Sequence, residues 1–298
     1  IPFLLSADSI NNKLENITFY IGRAYHLNYK FEEALVYFSK FFSETTDGDN
    51  KVAASRYIEY CNNAKKLIDE EIDVVIDNIG SVINTKNVEY VPVLSLDEKV
   101  LIFTYRGEKS TGGLEDLKFN PDPDGEYYED IFISTKIDGK WTAPQSIGTN
   151  INSKQHDACI ALSADGQTLF IFKSTSKDGG DIYISKLEGI VWSKAVKLGK
   201  NINTKYWEGS VSMSADEQTL YFASEKPGGY GGRDLYICKM QANGDWGAPE
   251  NLGPTINTPY DDDAPYIHAD GKTLFFSTKG HNSMGGYDVM YSIKNDEG

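Results

Sequence analysis

Residues 1–70 place apolar side chains three and four positions apart, the spacing of amphipathic helices. Asn28, Tyr29 and Lys30 interrupt this pattern, so we expect a pair of antiparallel helices on either side. A further helix is expected over the later run. The apolar positions are Ile17, Tyr20, Ile21, Ala24 and Tyr25, then Phe31, Ala34, Leu35, Phe38 and Phe42, and finally Ala54, Tyr57, Ile58, Cys61, Ala64, Leu67 and Ile68.

From residue 72 the apolar positions alternate, as in β-strands, and the chain repeats itself. Each repeat contains an aspartate in a turn, with a polar residue two positions before it. A strand that contains a leucine followed by an aliphatic or aromatic residue comes after the turn. These segments begin at Ser95, Ser163, Ser214 and His268. A second aspartate opens the next strand of each repeat, and a tryptophan follows it in the first three. These residues are Asp130, Asp181, Asp234 and Asp288, with Trp141, Trp192 and Trp246.

The four strand-opening aspartates are 51, 53 and 54 residues apart, and the other markers keep the same register. Four short strands per repeat at this period predict a β-propeller with one blade per repeat. The predicted fold class is therefore mainly β, a propeller of four-stranded blades preceded by a small α-helical segment. We expect the helical segment to cover residues 1–70 and the propeller residues 71–298.

The sequence allows two ways of completing the propeller ring. The last repeat stops before its tryptophan-bearing fourth strand, whereas residues 71–79 resemble a fourth strand without a blade of its own. Either this amino-terminal strand completes the last blade, or further blades lie outside this sequence. We favour the second alternative, because four blades is the lower end of the usual range.

Charge and composition exclude several classes of partner. The net charge is −15, so neither a nucleic-acid backbone nor an anionic membrane surface is an expected partner. No apolar stretch reaches the ~20 residues of a membrane span, so no direct membrane insertion is expected. The three cysteines, Cys61, Cys159 and Cys238, follow neither a disulfide nor a zinc spacing, and we interpret them as buried free thiols.

Candidate catalytic chemistry is sparse in the sequence. The four histidines form no metal-binding motif, and no nucleophile elbow or phosphate-binding loop is present. The strand-opening aspartates recur once per blade, whereas the residues of an active site are expected in one blade and not at the same place in all of them. We therefore interpret them, with the three tryptophans, as structural, and predict a protein that is not an enzyme and has no cofactor or metal.

A subtler repeat is a better candidate for function. An acid lies eight residues before each turn aspartate, where the innermost strand begins. We expect these side chains to ring one mouth of the central channel and to bind a cation or a basic partner there. The alternative is that each acid caps local backbone N–H groups. The acids are Glu89, Asp157, Glu208 and Asp262. A second candidate contact surface is the insertion at residues 107–128 of the first blade.

Two motifs resemble known families. Gly22, Tyr25, Phe31, Ala34 and Phe38 have the spacing of a tetratricopeptide repeat, although Thr18 and Phe41 depart from that pattern. The fifty-residue repeats resemble TolB-type, WD-repeat-like propeller blades. The pairing of the two, joined by residues 55–68 and 78–85, resembles the OmpA-family, PorE-type outer-membrane-associated proteins of the Bacteroidetes, which serve type IX secretion and gliding.

This resemblance implies a function. It implies a periplasmic, outer-membrane-associated scaffold that binds envelope proteins, and peptidoglycan through domains absent from this chain. A sensor that binds a small ligand or glycan in the propeller channel is the alternative. A glycan hydrolase is a third hypothesis, less favoured because the sequence offers no asymmetric pair of carboxylates.

Overall fold

The computed structural model describes residues 1–10, 16–70, 74–115, 120–122, 125–175 and 178–295. Two compact units are present. One contains residues 1–75 and 278–288, and the other contains residues 76–277 and 289–298. The domain boundary that we expect at residue 70 stays a prediction. No helix within the described ranges is both long enough and apolar enough to cross a bilayer.

The described part of the first unit holds four helices: α1 (Pro2–Ile10), α2 (Ile17–His26), α3 (Phe31–Glu44) and α4 (Gly48–Leu67). Ala34, Phe38 and Cys61 form a fully buried cluster in its core. A Cβ atom on Gly22 would lie 2.8 Å from two ring carbons of Phe38, so α2 and α3 approach each other closely here. Asp47 caps α4 by accepting the N–H of Asn50 at 2.8 Å.

The predicted apolar face of these helices is mostly buried, with exceptions in α2 and α3. Tyr20 and Phe42, two of the apolar positions at helical spacing, are 49% and 41% exposed. Phe41, in contrast, is buried and lies against Phe19. The reason is that Phe41 and Phe42 are adjacent and only one of them can face α2, so spacing alone does not decide between them.

Residues 278–288 belong to the helical unit, although they follow the strand at Thr273–Thr278. The Tyr60 hydroxyl donates to the carbonyl of Lys279 at 3.0 Å, and a guanidinium nitrogen of Arg56 lies 3.0 Å from the hydroxyl oxygen of Ser283. Asn63 donates to the carbonyl of Ser283 at 3.1 Å. This loop therefore packs on α4 through hydrogen bonds that the apolar pattern does not report.

The second unit contains four antiparallel sheets, here called blades one to four in chain order. Blade one contains β1 (Val88–Leu94), β2 (Val100–Arg106), β3 (Asp130–Ile137), β4 (Lys140–Trp141) and β5 (Gln145–Ser146). Blade two contains β6 (His156–Leu162), β7 (Thr168–Thr175), β8 (Asp178–Glu188), β9 (Val191–Trp192) and β10 (Val196–Lys197). Blade three contains β11 (Val211–Met213), β12 (Thr219–Ser224), β13 (Asp234–Lys239) and β14 (Glu250–Asn251). Blade four contains β15 (Asp262–Ile267), β16 (Thr273–Thr278) and β17 (Asp288–Ile293).

Successive blades pack face to face through their alternating apolar residues. In β7, Leu169 and Ile171 face blade one, whereas Phe170 faces blade three. The innermost strands β1, β6, β11 and β15 contact one another in that order. This arrangement confirms the predicted four-blade propeller preceded by helices.

Two strand predictions are wrong. The tryptophan-bearing fourth strand is split in blades one and two, where β4 and β5 both pair with β3 and β9 and β10 both pair with β8. Residues 74–80 form no strand, and residues 71–73 lie outside the described residues. The described part of blade four has three strands, because no segment pairs with the outer edge of β17.

Candidate functional site

The four acids that we expected at the channel mouth occupy one equivalent place in each blade. Each carboxylate accepts the backbone N–H and the side-chain hydroxyl of the residue four positions earlier. For Glu208, the distances from Thr204 N and Oγ1 are 2.9 and 2.7 Å. The other pairs are Thr85 with Glu89, Ser153 with Asp157, and Thr258 with Asp262. Local capping is thus present in every blade, and binding of a cation or a basic partner stays a prediction.

The charge of these acids is compensated differently from blade to blade. Asp157 is fully buried and forms an ion pair with Lys173, which lies opposite it in the β6–β7 register. In blade three the equivalent residue is Ser224, whose hydroxyl donates to Glu208 at 2.7 Å. A buried carboxylate loses its hydration, and these neighbours replace part of that hydration with an ion pair in blade two and a hydrogen bond in blade three.

Three of the strand-opening aspartates, Asp130, Asp234 and Asp288, bond to the loop that precedes each of them. Asp130 accepts the N–H of Thr111 at 2.9 Å and its hydroxyl at 2.6 Å. Asp234 and Asp288 likewise accept backbone N–H groups of their loops, and Asp181 pairs with Lys197 at 2.6 Å. Burial raises the pKa of the Asp130 carboxyl, and the bonds from Thr111 oppose that rise only in part.

The tryptophans pack at the outer part of the blades. Trp192 is buried between blades one and two, and Trp246 lies partly buried against the core between blades two and three. Trp141 packs on the core of blade one. The carbonyls of Trp192 and Trp246 accept amide hydrogens from Asn150 and Asn201, both at 2.7 Å. These contacts agree with a structural role.

A cluster at the junction of blades one and two breaks the repeat symmetry. A carboxylate oxygen of Glu129 forms a hydrogen bond with Nδ1 of His156. The ring of Tyr128 lies 4.3 Å from the imidazole ring, measured between centroids. Burial, and then the neighbouring Glu129, raise the pKa of Tyr90. A carboxylate, an imidazole and two phenols therefore meet at the end of the propeller where the four acids lie.

The repeated positions of the sequence do not reveal this cluster, because neither Glu129 nor His156 recurs from blade to blade. Glu129 stands directly before Asp130, where the other blades have Gly180, Arg233 and Tyr287. His156 stands directly before Asp157, at a position that is equally variable. A comparison of the repeats at their most variable columns would have detected it.

A second asymmetric cluster surrounds Arg233 in blades three and four. Its guanidinium binds Asp263 at 2.7 Å and Glu225 at 3.0 Å. It also lies 3.8 Å from the ring centroid of Trp207, within the range of a cation–π contact. The same repeat position thus carries an anion in blade one and a cation in blade three.

Neither a metal site nor the main cavity coincides with these clusters in the described part of the chain. No group of three or more His, Cys, Asp or Glu side chains suited to a metal lies within the described ranges. A cavity of about 540 Å³ between blades two and three is lined by Lys186, Lys197 and Trp246 among others. It lies near Thr168 and Glu217, at the opposite end of the strands from Glu129 and His156.

Comparison with known proteins gives distant structural matches only. No family model matches the chain, and no curated protein matches it. TolB from Acinetobacter baumannii matches 72% of the chain at 15% identity, with a TM-score of 0.48, and the matched part spans 43% of that protein. A protein assigned as TolB from Agrobacterium tumefaciens matches 70% of the chain at 18% identity, with a TM-score of 0.38 and 78% of its own length covered.

Other matches correct one prediction. A puromycin-hydrolyzing peptidase from Mycobacterium tuberculosis matches 70% of the chain at 13% identity, with a TM-score of 0.40 and 28% of its own length covered. Further matched structures are lactonases and a lyase. Our prediction that the chain is not an enzyme is therefore wrong as it stands, because enzymes are among the propellers that it matches.

Proposed function

We propose that this chain is a protein-binding module of the bacterial cell envelope. It acts in the periplasm next to the outer membrane, in a secretion or gliding complex of the type IX kind or in a peptidoglycan-linked complex. The pairing of a tetratricopeptide-like segment with propeller repeats supports this proposal. Its partners are envelope proteins, and domains outside this sequence supply any contact with peptidoglycan. Neither nucleic-acid binding nor membrane insertion is part of the proposal.

The observation that carries this proposal is the variable position before each strand-opening aspartate. The backbone there is repeated, since the carbonyl of Glu129 accepts the N–H of Asp157 and the carbonyl of Arg233 accepts that of Asp262. The side chains, in contrast, differ completely from blade to blade. Arg, Trp and Tyr on a rigid surface are the residues that dominate protein interfaces.

Electrostatics indicate the kind of protein partner. With a net charge of −15, the chain attracts basic surfaces and repels acidic ones. An interface of this kind forms more slowly as the salt concentration rises, since exposed charges are screened.

The test is affinity isolation of the tagged full-length protein from its native envelope after mild cross-linking. We expect a protein partner to be recovered with the wild type and lost with His156→Ala or Arg233→Ala. The matched control is Glu188→Ala, an exposed residue at the end of β8. Absence of an envelope protein from the wild-type sample, or equal recovery with all variants, would contradict the proposal.

A second candidate function is binding of a small ligand or glycan at the Glu129–His156 cluster. The specific observation is the carboxylate–imidazole pair beside Tyr128, which can orient a hydroxyl or amide group of a ligand. Within the described residues, Nε2 of His156 has no hydrogen-bond partner, so it is available to accept or donate a proton. Stacking of a sugar ring on Tyr128 would add apolar contact.

This candidate is tested by a thermal-shift screen of sugars, muropeptides and short peptides, followed by a hydrolysis assay on each hit. A ligand at this site stabilises the wild type and loses its effect with Glu129→Gln or His156→Ala. A shift that persists in both variants would move the site elsewhere.

A further inference from the structure

The cavity at the junction between blades two and three, here called the inter-blade cavity, has the size and lining of a small-molecule site. Its volume is about 540 Å³. Sites of this size are concave and mainly apolar, with a few polar groups that fix the orientation of the ligand. Two methionines in the lining can adapt to ligands of different shape. The apolar lining residues are Phe170, Ile184, Leu198, Met213, Met240 and Trp246.

The tryptophan of blade three is more exposed than its counterpart in blade two. Trp192 is 6% exposed, whereas Trp246 is only partly buried. In blade two, Leu187 pairs with Trp192 across a hairpin of four intervening residues. In blade three, Met240 pairs with Trp246 across five. This longer hairpin forms one wall of the cavity, to which it contributes Gln241, Gly244 and Asp245.

Hydrogen bonds hold the walls of the cavity in place. The N–H of Gly244 donates to the carbonyl of Gln241 at 2.9 Å, and the N–H of Gln241 donates to the carbonyl of Asp245 at 2.9 Å. The Asn201 side chain, which follows β10, donates to the carbonyl of Trp246 at 2.7 Å and so joins blade two to this hairpin. A ligand would therefore bind without the entropic cost of ordering these segments.

Three lysines of blade two line the same cavity: Lys186 in β8, Lys197 in β10 and Lys200 just after it. The chain as a whole carries a net charge of −15, so a group of three lysines is a local exception. Blades one and three do not repeat this group, although all three positions are present there. The equivalent residues are Thr135, Ser146 and Thr149 in blade one, and Lys239, Asn251 and Pro254 in blade three.

The three lysines differ in the partners that they already have. Lys186 donates to Oγ1 of Thr168 at 2.6 Å. Lys197 forms an ion pair with Asp181, also at 2.6 Å. The Lys200 side chain makes neither a hydrogen bond nor an ion pair with any residue that the structure describes. Lys200 is therefore the cation that a ligand can pair with.

The acids in the lining lie on the other side of the cavity. They are Glu217 and Asp245, and both belong to blade three, whereas the lysines belong to blade two. Asp245 accepts a hydrogen from the side-chain amide of Asn243 at 2.9 Å. An anionic group on a ligand is therefore attracted towards blade two and repelled from blade three.

We propose that the inter-blade cavity binds a small organic acid with an apolar body. The apolar body lies among Phe170, Met213 and Trp246, and the carboxylate pairs with Lys200. A hydrogen bond between an ammonium and a carboxylate is charge-assisted and stronger than a neutral one. This site goes beyond the protein-binding function proposed above and does not depend on it, since the cavity lies at the opposite end of the strands from Glu129 and His156.

The experiment is isothermal titration calorimetry of the full chain with three compounds that share one apolar body and differ in charge. These are phenylbutyrate, phenylbutanol and phenylbutylamine. We expect phenylbutyrate to bind, and the alcohol and the amine to bind at least about tenfold more weakly, because neither can pair with Lys200. Octanoate, a second apolar acid, should compete with phenylbutyrate, whereas acetate, which has almost no apolar body, should not.

Matched variants assign the charged contact and the position of the ligand. Lys200→Gln should weaken the binding of phenylbutyrate by about tenfold. The control is Lys194→Gln, at an exposed lysine of the same blade that does not line the cavity, and it should bind as the wild type does. The change in tryptophan fluorescence on binding should be lost in Trp246→Phe. His156→Ala should leave the binding of phenylbutyrate unchanged, which separates this site from the Glu129–His156 cluster.

Several results would overturn this inference. They are a wild type that binds neither phenylbutyrate nor octanoate, equal affinities for the acid, the alcohol and the amine, and equal effects of Lys200→Gln and Lys194→Gln. A fluorescence change that persists in Trp246→Phe would place the acid at another site and would overturn it too. None of these results bears on the recovery of an envelope protein, so the two proposals fail separately.

Discussion

The side chain of Asn203 binds both main-chain polar groups of Ile182, at 2.7 and 2.9 Å, across the junction between blades two and three. Both residues are buried. The amide group of asparagine is the shortest side chain that donates and accepts in one plane, so it can replace a missing strand at this edge. The repeated Ile-Asn sequence is therefore a structural element of the ring.

This contact predicts the stability of two matched variants. Asn203→Ala leaves a buried N–H and a buried carbonyl without partners and should lower the free energy of unfolding by about 2–4 kcal/mol. Asn84→Ala removes the same side chain at a position where it makes no hydrogen bond to any described residue, so the chain should lose less than about 0.5 kcal/mol. Urea unfolding at low protein concentration measures both values. Equal losses would contradict the role that we assign to Asn203.

Much of the fold could be predicted from the sequence because the same residue types recur at equivalent positions of each blade. Turn aspartates, Leu-aromatic strands and Ile-Asn segments recur in register, and each has a local physical cause. Ser163, for example, donates to Asp165 at 2.5 Å and accepts the N–H of Thr168 at 2.8 Å, all within six residues. Such contacts depend on short-range sequence and are visible in it.

The candidate site could not be predicted in the same way. Glu129 and His156 are 27 residues apart and meet only because two blades pack against each other. The apolar pattern also could not choose between Phe41 and Phe42 in α3, nor show that residues 278–288 join the helical unit. In each case the deciding contact is made between segments that are distant in sequence.

The contact between α2 and α3 predicts a position that tolerates no side chain. A Cβ atom at Gly22 would lie 2.8 Å from the ring of Phe38, which is itself fully buried. Gly22→Ala should therefore lower the free energy of unfolding of the helical unit by about 1–3 kcal/mol, despite the higher helix propensity of alanine.

The control for this prediction is Gly48→Ala at the start of α4, where a Cβ atom would meet nothing within 4 Å. This variant should be neutral or stabilising by up to about 1 kcal/mol. Circular dichroism at 222 nm during thermal unfolding follows the helices selectively. A helical transition that is unchanged in Gly22→Ala would show that the two helices are not closely packed.

The ion pair between Lys173 and Asp157 in blade two can be replaced in part by the serine–glutamate pair that blade three has at the same position. Lys173→Ser leaves the buried Asp157 without its cation and should cost about 2–4 kcal/mol of stability near neutral pH. Adding Asp157→Glu to this variant recreates the Ser224–Glu208 pair of blade three, in which the hydroxyl donates to the longer carboxylate at 2.7 Å. The double variant should recover part of the loss, and a double-mutant cycle by urea unfolding measures the coupling. Independent effects of the two substitutions would contradict this prediction.

The cysteines predict a protein without reactive thiols in its native state. All three are free and buried, and burial raises the pKa to about 12 for Cys61 and Cys159 and to about 11 for Cys238. The thiolate, which is the reactive form, is therefore scarce at pH 8. A colorimetric thiol titration should detect none of them in the native protein and all three in denaturant. Rapid reaction of any one in the native state would place that thiol at the surface.

The buried carboxyl of Asp130 predicts a stability that falls as the pH rises. Its pKa is raised in the folded state, chiefly by loss of hydration, so ionisation favours the unfolded chain. Stability from the protonated form is complete below the ordinary carboxyl pKa of about 4 and is lost as the pH rises through the higher folded-state value.

Asp130→Asn removes the ionisation while an amide oxygen can still accept from Thr111, so its stability relative to wild type should increase over this interval. Asp138→Asn, at an exposed turn, should leave the pH dependence unchanged. Urea unfolding from pH 3 to 8 gives the free energy of unfolding of the three proteins. If this free energy depends on pH in the same way in Asp130→Asn and the wild type, burial does not raise the pKa of Asp130.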